Sequence, residues 1–154
     1  MGELAVSRSS GDVLVALGLG SCIGLVLVDR AKSIVGLAHV MLPDSSSSPN
    51  APRMKFADHA VPELIRKTVA LGTSPLHLQA FLVGGAKMFS FGGSSLDVGA
   101  RNEEATLAQL EKHRIRVAGK VTAGTSGRTV RVHVDGPRVL CKEAGGQEKE
   151  LQAA

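Results

Sequence analysis

The chain has 154 residues, of which 44% are hydrophobic and 21% charged, and its formal net charge is +4. This length favours one domain with a sizeable core, and no apolar run is long enough to cross a bilayer. The N-terminus lacks the basic-then-apolar pattern of a signal peptide, so we expect a soluble, cytoplasmic protein. Nucleic acid is not an expected partner, because aromatic residues make up only 3% and the basic residues are scattered.

The distribution of polar residues predicts one folded domain between two polar ends. Residues 1–12 are polar and rich in glycine and serine, which indicates a flexible N-terminal segment. The patterned part of the chain, residues 13–142, is expected to form the single domain. Residues 143–154 are polar again and are expected to form a frayed C-terminal tail.

Three short apolar runs near the start of the domain predict strands over residues 13–17, 23–28 and 34–41. The polar residues 29–33 between the last two runs predict the turn of a hairpin. Such a hairpin would place Cys22, at the start of one strand, and His39, near the end of its partner, at the same open end.

Helical spacing of apolar residues predicts two helices, over residues 56–71 and about 97–113. Further strands are predicted over residues 77–83, 115–122, 129–134 and 138–142. The order of elements favours an α+β fold, a layered α/β sandwich. We expect its largely antiparallel β-sheets to pack together and to be flanked by two to three helices.

The glycine-rich stretch 18–24 carries Cys22, one of only two cysteines in the chain. Glycines permit close approach of backbone to ligand, so the thiol could be a nucleophile beside free backbone N–H groups. The alternative is a small buried hydrophobe in a bulged strand, and this alternative is favoured when the stretch is taken alone. A dinucleotide fingerprint is excluded, because a strand and not a helix follows.

The remaining cysteines and histidines do not favour a zinc site. The cysteines and histidines show none of the spacings typical of zinc ligands. A histidine near Cys22 can lower the pKa of the thiol by pairing with the thiolate, and can later protonate a leaving group. His39 is the histidine that the hairpin brings to Cys22.

The motifs around these two residues resemble those of the CheD family, the chemoreceptor glutamine deamidases of bacterial and archaeal chemotaxis. The sequence GLGSC at 18–22 and the sequence AHVMLP at 38–43 carry the resemblance. Further matching blocks, in the same order and within residues 13–142, are FAD at 56–58, GGAKMF at 84–89, GARN at 99–102 and GR at 127–128.

The resemblance implies a cysteine-hydrolase fold similar to deamidases of the cytotoxic necrotizing factor type. It implies Cys22 as nucleophile and His39 as general base of a protein-glutamine glutaminase that needs no cofactor and no metal. Gly20 and Ser21 would support the oxyanion site. The implied substrates are glutamine-bearing helices of methyl-accepting chemotaxis proteins, and the CheC phosphatase is a second implied partner. We expect a monomer when the protein is alone.

One position of the site departs from the family pattern. Ala16 stands where the family often has a threonine, so no hydroxyl from this position can orient His39. Either a backbone carbonyl or Ser21 substitutes, or the activity is weaker. The departure favours an alternative function, in which the protein is a non-catalytic or weakly catalytic adaptor that binds chemoreceptors, CheC or both. The surface proposed to select substrate or partner comprises Phe89, Phe91, Arg101 and Asn102.

Overall fold

The computed structural model describes residues 3–46, 48–88 and 97–153. These ranges contain nine strands and two α-helices. The strands are β1 (Leu4–Ser7), β2 (Val13–Leu19), β3 (Ile23–Asp29), β4 (Ile34–Val40), β5 (Gln79–Gly84), β6 (Arg116–Thr122), β7 (Arg128–His133), β8 (Arg138–Glu143) and β9 (Glu148–Glu150). The helices are α1 (Ala57–Ala70) and α2 (Val98–Lys112), with short 3-10 helices at Arg53–Lys55 and Pro75–His77.

The strands form two sheets. The first sheet has the order β1-β4-β3-β5-β6, and the second has the order β2-β7-β8-β9. All neighbouring strands are antiparallel except β5 and β6, which are parallel. Helix α2 lies in the crossover between β5 and β6, as a parallel pair requires. The predicted α+β fold of largely antiparallel sheets is therefore confirmed.

The first sheet is covered on both faces, and this explains why β3 is buried along its whole length and is apolar up to Asp29 at its end. Successive side chains of a strand point to opposite faces. Leu25 accordingly packs with Leu64 and Leu110 of the two helices, whereas Val26 packs with Val130 of the second sheet. The molecule thus has one hydrophobic layer between helices and sheet, and a second layer between the two sheets.

The predicted hairpin and both predicted helices are confirmed. Strands β3 and β4 pair antiparallel from Ile23↔Val40 to Asp29↔Ile34. The helices begin and end within one residue of the predicted limits. None of the helices in the described part of the chain is long and apolar enough to cross a bilayer.

Both terminal segments contain strands where the sequence predicts flexible or frayed chain. Strand β1 pairs antiparallel with β4, and its residues Leu4 and Val6 pack against the helix-side core. Strand β9 pairs antiparallel with β8. Residues 4–7 and 148–150 thus form strands within segments that the sequence predicts to be flexible or frayed. Short strands of this kind are stabilised by pairing with distant strands, which local composition does not reveal.

Candidate active site

The hairpin of β3 and β4 brings Cys22 and His39 to one end of the first sheet. Gly24 lies directly opposite His39, and opposite residues of an antiparallel pair project from the same face. Cys22 precedes Gly24 by two residues and packs against the core between the sheets, so it lies on this face as well. Cys22 and His39 are diagonal neighbours, a relationship that typically separates α-carbons by about 7–8 Å.

Gly24 allows the second sheet to approach this point closely. A β-carbon at Gly24 would lie 2.8 Å from Cδ1 of Leu19 and 3.0 Å from Cγ1 of Val130. Any larger residue would therefore require the side chains of Leu19 and Val130 to shift. Because Gly24 has no side chain, residues of the second sheet occupy the space that a β3 side chain would otherwise fill beside His39.

The backbone around Cys22 is anchored through its carbonyl groups. The N–H of Ala86 donates to the carbonyl oxygen of Gly20 at 2.9 Å, and the N–H of Gly85 donates to that of Cys22 at 2.9 Å. Within the described ranges, no backbone acceptor is recorded for the N–H groups of Gly20, Ser21 and Cys22. An oxyanion site requires this arrangement, in which the carbonyls are held on one side and the N–H groups have no backbone partner.

The structure corrects the prediction for Asn102, which is fully buried and is not part of the surface. Its Nδ2 donates to the carbonyl oxygens of Ser21 and Met41, both at 2.9 Å. Both partners are acceptors, so the amide nitrogen must face them. Asn102 therefore ties the residue before Cys22 to the strand end that carries His39.

Helical spacing in the sequence was the signal that could have revealed this role. Asn102, Thr106 and Leu110 recur every four residues and lie on the buried face of α2. An asparagine on such a face needs hydrogen-bond partners, because an unpaired buried amide is costly.

The glycines of the 84–85 and 99–102 blocks let two segments pack against the residues around Cys22. A β-carbon at Gly99 would lie 2.5 Å from the carbonyl oxygens of Gly85 and Ala86. Gly84 has a φ of +113°, and a β-carbon there would lie 2.2 Å from the carbonyl oxygen of Cys22. These positions therefore determine where the Cys22 backbone lies.

Arg128 links the second sheet to the same region. Its side chain is 5% exposed and donates to the carbonyl oxygens of Gly84 and Ala123, at 3.1 and 2.8 Å. The guanidinium also forms an ion pair with Glu143 at 3.0 Å. The buried charge is thus compensated, and it secures the end of β5 beside Cys22.

The other predicted surface residues are placed differently. Arg101 is exposed on α2 and lines a cleft of about 380 Å³ together with Asp44, Asp58 and Glu104. Phe89 and Phe91 lie outside the described residues. Among the residues that the structure describes, no group of three or more His, Cys, Asp or Glu side chains is arranged to hold a metal ion.

Burial favours the neutral forms of both candidate catalytic residues. It raises the pKa of the Cys22 thiol and lowers the pKa of His39. Nε2 of His39 is buried and has no hydrogen-bond partner among the described residues. At neutral pH both shifts favour a thiol and a neutral imidazole, whereas the sequence indicated that a histidine could pair with the Cys22 thiolate as imidazolium.

A cleft of about 410 Å³ opens between the edges of the two sheets, next to His39. Its lining residues come from β1, the residue before it, β2 and β4, and they are Glu3, Leu4, Ala5, Val13, Leu14, Val15, Ala16, Leu17, Leu37 and His39. Ala16 and His39 therefore line the same cleft from opposite sheets, and Ala16 offers no polar side-chain atom there.

Comparison with known proteins agrees with these observations. Residues 41–143 match the family described as CheD chemotactic sensory transduction. A protein of Symbiobacterium thermophilum named "Probable chemoreceptor glutamine deamidase CheD" is 43% identical over 155 residues, covering 98% of this chain and 94% of the relative. A protein of Methanococcus vannielii with the same name is 44% identical over 130 residues, covering 84% and 83%. The chain belongs to the CheD family.

Proposed function

We propose that this protein is a cytoplasmic chemoreceptor glutamine deamidase. It converts selected glutamine side chains of methyl-accepting chemotaxis proteins to glutamate and releases ammonia. The observation that carries the proposal is the placement of Cys22 and His39 on one face at the open end of the β3–β4 hairpin. The names of the relatives, which are similar over most of the chain, support the same reaction.

In the first half of the proposed reaction, Cys22 attacks the side-chain carbonyl carbon of glutamine. Neutral His39 takes the thiol proton as the carbon–sulfur bond forms, because the free site does not favour a thiolate. The N–H groups of Ser21 and Cys22 stabilise the oxyanion. Imidazolium then gives its proton to the amide nitrogen, the carbon–nitrogen bond breaks, and ammonia leaves a thioester behind.

In the second half, water replaces the sulfur. Neutral His39 accepts a proton from water as its oxygen attacks the thioester carbonyl, and the same N–H groups hold the second oxyanion. The carbon–sulfur bond breaks, the imidazolium returns its proton to sulfur, and the glutamate product dissociates. The net reaction consumes one water and releases one ammonia, so no cofactor is needed.

The reaction is tested by mass spectrometry of a receptor cytoplasmic fragment that has been incubated with the protein. Each converted glutamine should add about 1 Da, because an amide nitrogen is replaced by oxygen. Cys22→Ala should abolish the mass change. Cys141→Ala is the matched control, because Cys141 is the other cysteine and lies buried on β8 of the second sheet. Deamidation that persists in Cys22→Ala would exclude the proposed nucleophile.

An adaptor that binds receptors or the CheC phosphatase is the second candidate function. Ala16 favours it, because this position supplies no hydroxyl to His39. Slow alkylation of the free thiol would not separate the two functions, since burial already raises the pKa of Cys22. The decisive comparison measures receptor binding and mass change together. An adaptor would bind the fragment with equal affinity in the wild type and Cys22→Ala, and neither protein would change its mass.

A further inference from the structure

Glu3 lies directly opposite His39 in the first sheet. The pairing of β1 with β4 begins at Leu4↔Ala38, and the next pair outward is Glu3 with His39. The N–H of His39 donates to the carbonyl oxygen of Glu3 at 2.9 Å, which confirms that the ladder extends to this pair. Glu3 therefore occupies a fixed backbone position beside the proposed general base.

The side chains of Glu3 and His39 share one face of the sheet. Directly opposite residues of an antiparallel pair have β-carbons about 4.5–5.5 Å apart and project in the same direction. In agreement, both residues line the cleft between the sheet edges. They are the only ionisable side chains among its described lining residues, since the others are aliphatic.

The other elements around His39 provide few polar groups that could form a hydrogen bond with its ring. Ala16 faces the cleft from β2 without a polar side-chain atom, and Gly24, on the other side of His39 in the sheet, has no side chain. Nε2 is buried without a partner among the described residues. Cys22 is a further ionisable side chain on this face. Glu3 is exposed, and its charge raises the pKa of His39, opposing the larger lowering effects of burial and of the positively charged N-terminus.

We propose that Glu3 is a positioning residue for His39, in that its carboxylate accepts a hydrogen bond from Nδ1–H of the imidazole ring. Nδ1 is the nitrogen assigned to this bond because Nε2 is enclosed while Glu3 is exposed. The bond fixes the tautomer in which Nε2 is free to accept the proton of Cys22, and it stabilises the imidazolium that forms. The catalytic part of this inference rests on the proposed deamidation.

The test compares wild type, Glu3→Gln and Glu3→Asp, with Glu111→Gln as matched control because Glu111 is an exposed carboxylate near the far end of α2. NMR titration of the His39 ring, assigned with His39→Gln, should show a lower pKa in Glu3→Gln and no change in Glu111→Gln. For the reaction, kcat should fall about tenfold in Glu3→Gln with KM unchanged, as for other groups that orient a ligand or base. Glu3→Asp should recover part of kcat.

The His39 titration tests the pairing with Glu3, and the Cys22→Ala assay tests the proposed reaction, so each can be contradicted without the other. An unchanged His39 pKa and tautomer in a folded Glu3→Gln protein would overturn the pairing, whatever the activity. Deamidation that persists in Cys22→Ala would overturn the proposed function and would leave the titration result intact. Thermal unfolding of Glu3→Gln provides the folding control, and we expect no large change because the side chain of Glu3 is exposed.

Discussion

Gly84 lies so close to Cys22 that a β-carbon added to it would be 2.2 Å from the carbonyl oxygen of Cys22. Gly84 also has a φ of +113°, a conformation that side chains resist. Gly84→Ala must therefore move either the end of β5 or the backbone of the nucleophile. We expect a loss of about 2–3 kcal/mol in the free energy of unfolding, measured with urea, and a loss of deamidation in the protein that remains folded.

Gly136→Ala provides the control for the conformational part of this effect. Gly136 has a φ of +52°, and a β-carbon there would meet no atom within 4 Å. This variant should lose about 1 kcal/mol and keep its activity. Equal losses of stability and activity in the two variants would show that the contact with Cys22 is unimportant.

Asn102 is predicted to be needed for both stability and activity. Asn102→Asp replaces the amide donor by a carboxylate, so the carbonyls of Ser21 and Met41 would lose their donor and face a negative charge. We expect a loss of about 3 kcal/mol in the free energy of unfolding at neutral pH. Because the two carbonyls flank the nucleophile and the base, kcat should fall more than KM rises.

Thr106→Val tests whether any buried polar group on α2 would behave in the same way. Thr106 lies one turn after Asn102, and its buried Oγ1 has no hydrogen-bond partner among the described residues. Removing this hydroxyl should leave stability unchanged or slightly increased. A destabilisation equal to that of Asn102→Asp would contradict the specific role given to the asparagine.

The hairpin that joins Cys22 to His39 could be predicted because it is local. Apolar runs on both sides of the polar turn at residues 29–33 define both strands and their register. The pairing of Glu3 with His39 could not be predicted, because it depends on β1 pairing with β4, which comes much later in the chain. The family resemblance identified the 99–102 block as part of the family pattern. It did not reveal that Asn102 is buried between two backbone carbonyls.

The pH dependence of deamidation should reflect neutral His39. Only the unprotonated imidazole can accept the thiol proton, so kcat/KM should rise with pH through the pKa of His39. Burial lowers that pKa below the ordinary value of 6.5, so the acid limb should lie below pH 6.5. The measurement is kcat/KM between about pH 5 and 8, the range in which histidine charge changes. An acid limb above pH 6.5 would instead indicate a stabilised imidazolium in the free enzyme.

A hydroxyl introduced at position 16, on the opposite sheet, is predicted to orient His39 when Glu3 cannot. Ala16 is 5% exposed on β2 and lines the cleft that contains His39. In a Glu3→Gln background, Ala16→Thr would add a hydroxyl that can accept a hydrogen bond from the ring, and a β-branched residue suits a strand. We expect kcat to recover severalfold, with a cost of about 1–2 kcal/mol in stability from the added volume.

Ala16→Val in the same background separates hydrogen bonding from packing. Valine has nearly the shape of threonine but lacks the hydroxyl, so it should incur a similar packing cost and give no recovery. Steady-state kinetics of both double variants, together with the His39 titration, provide the comparison. Equal recovery by valine would mean that filling the cleft beside His39, and not a hydrogen bond to its ring, limits the reaction in Glu3→Gln.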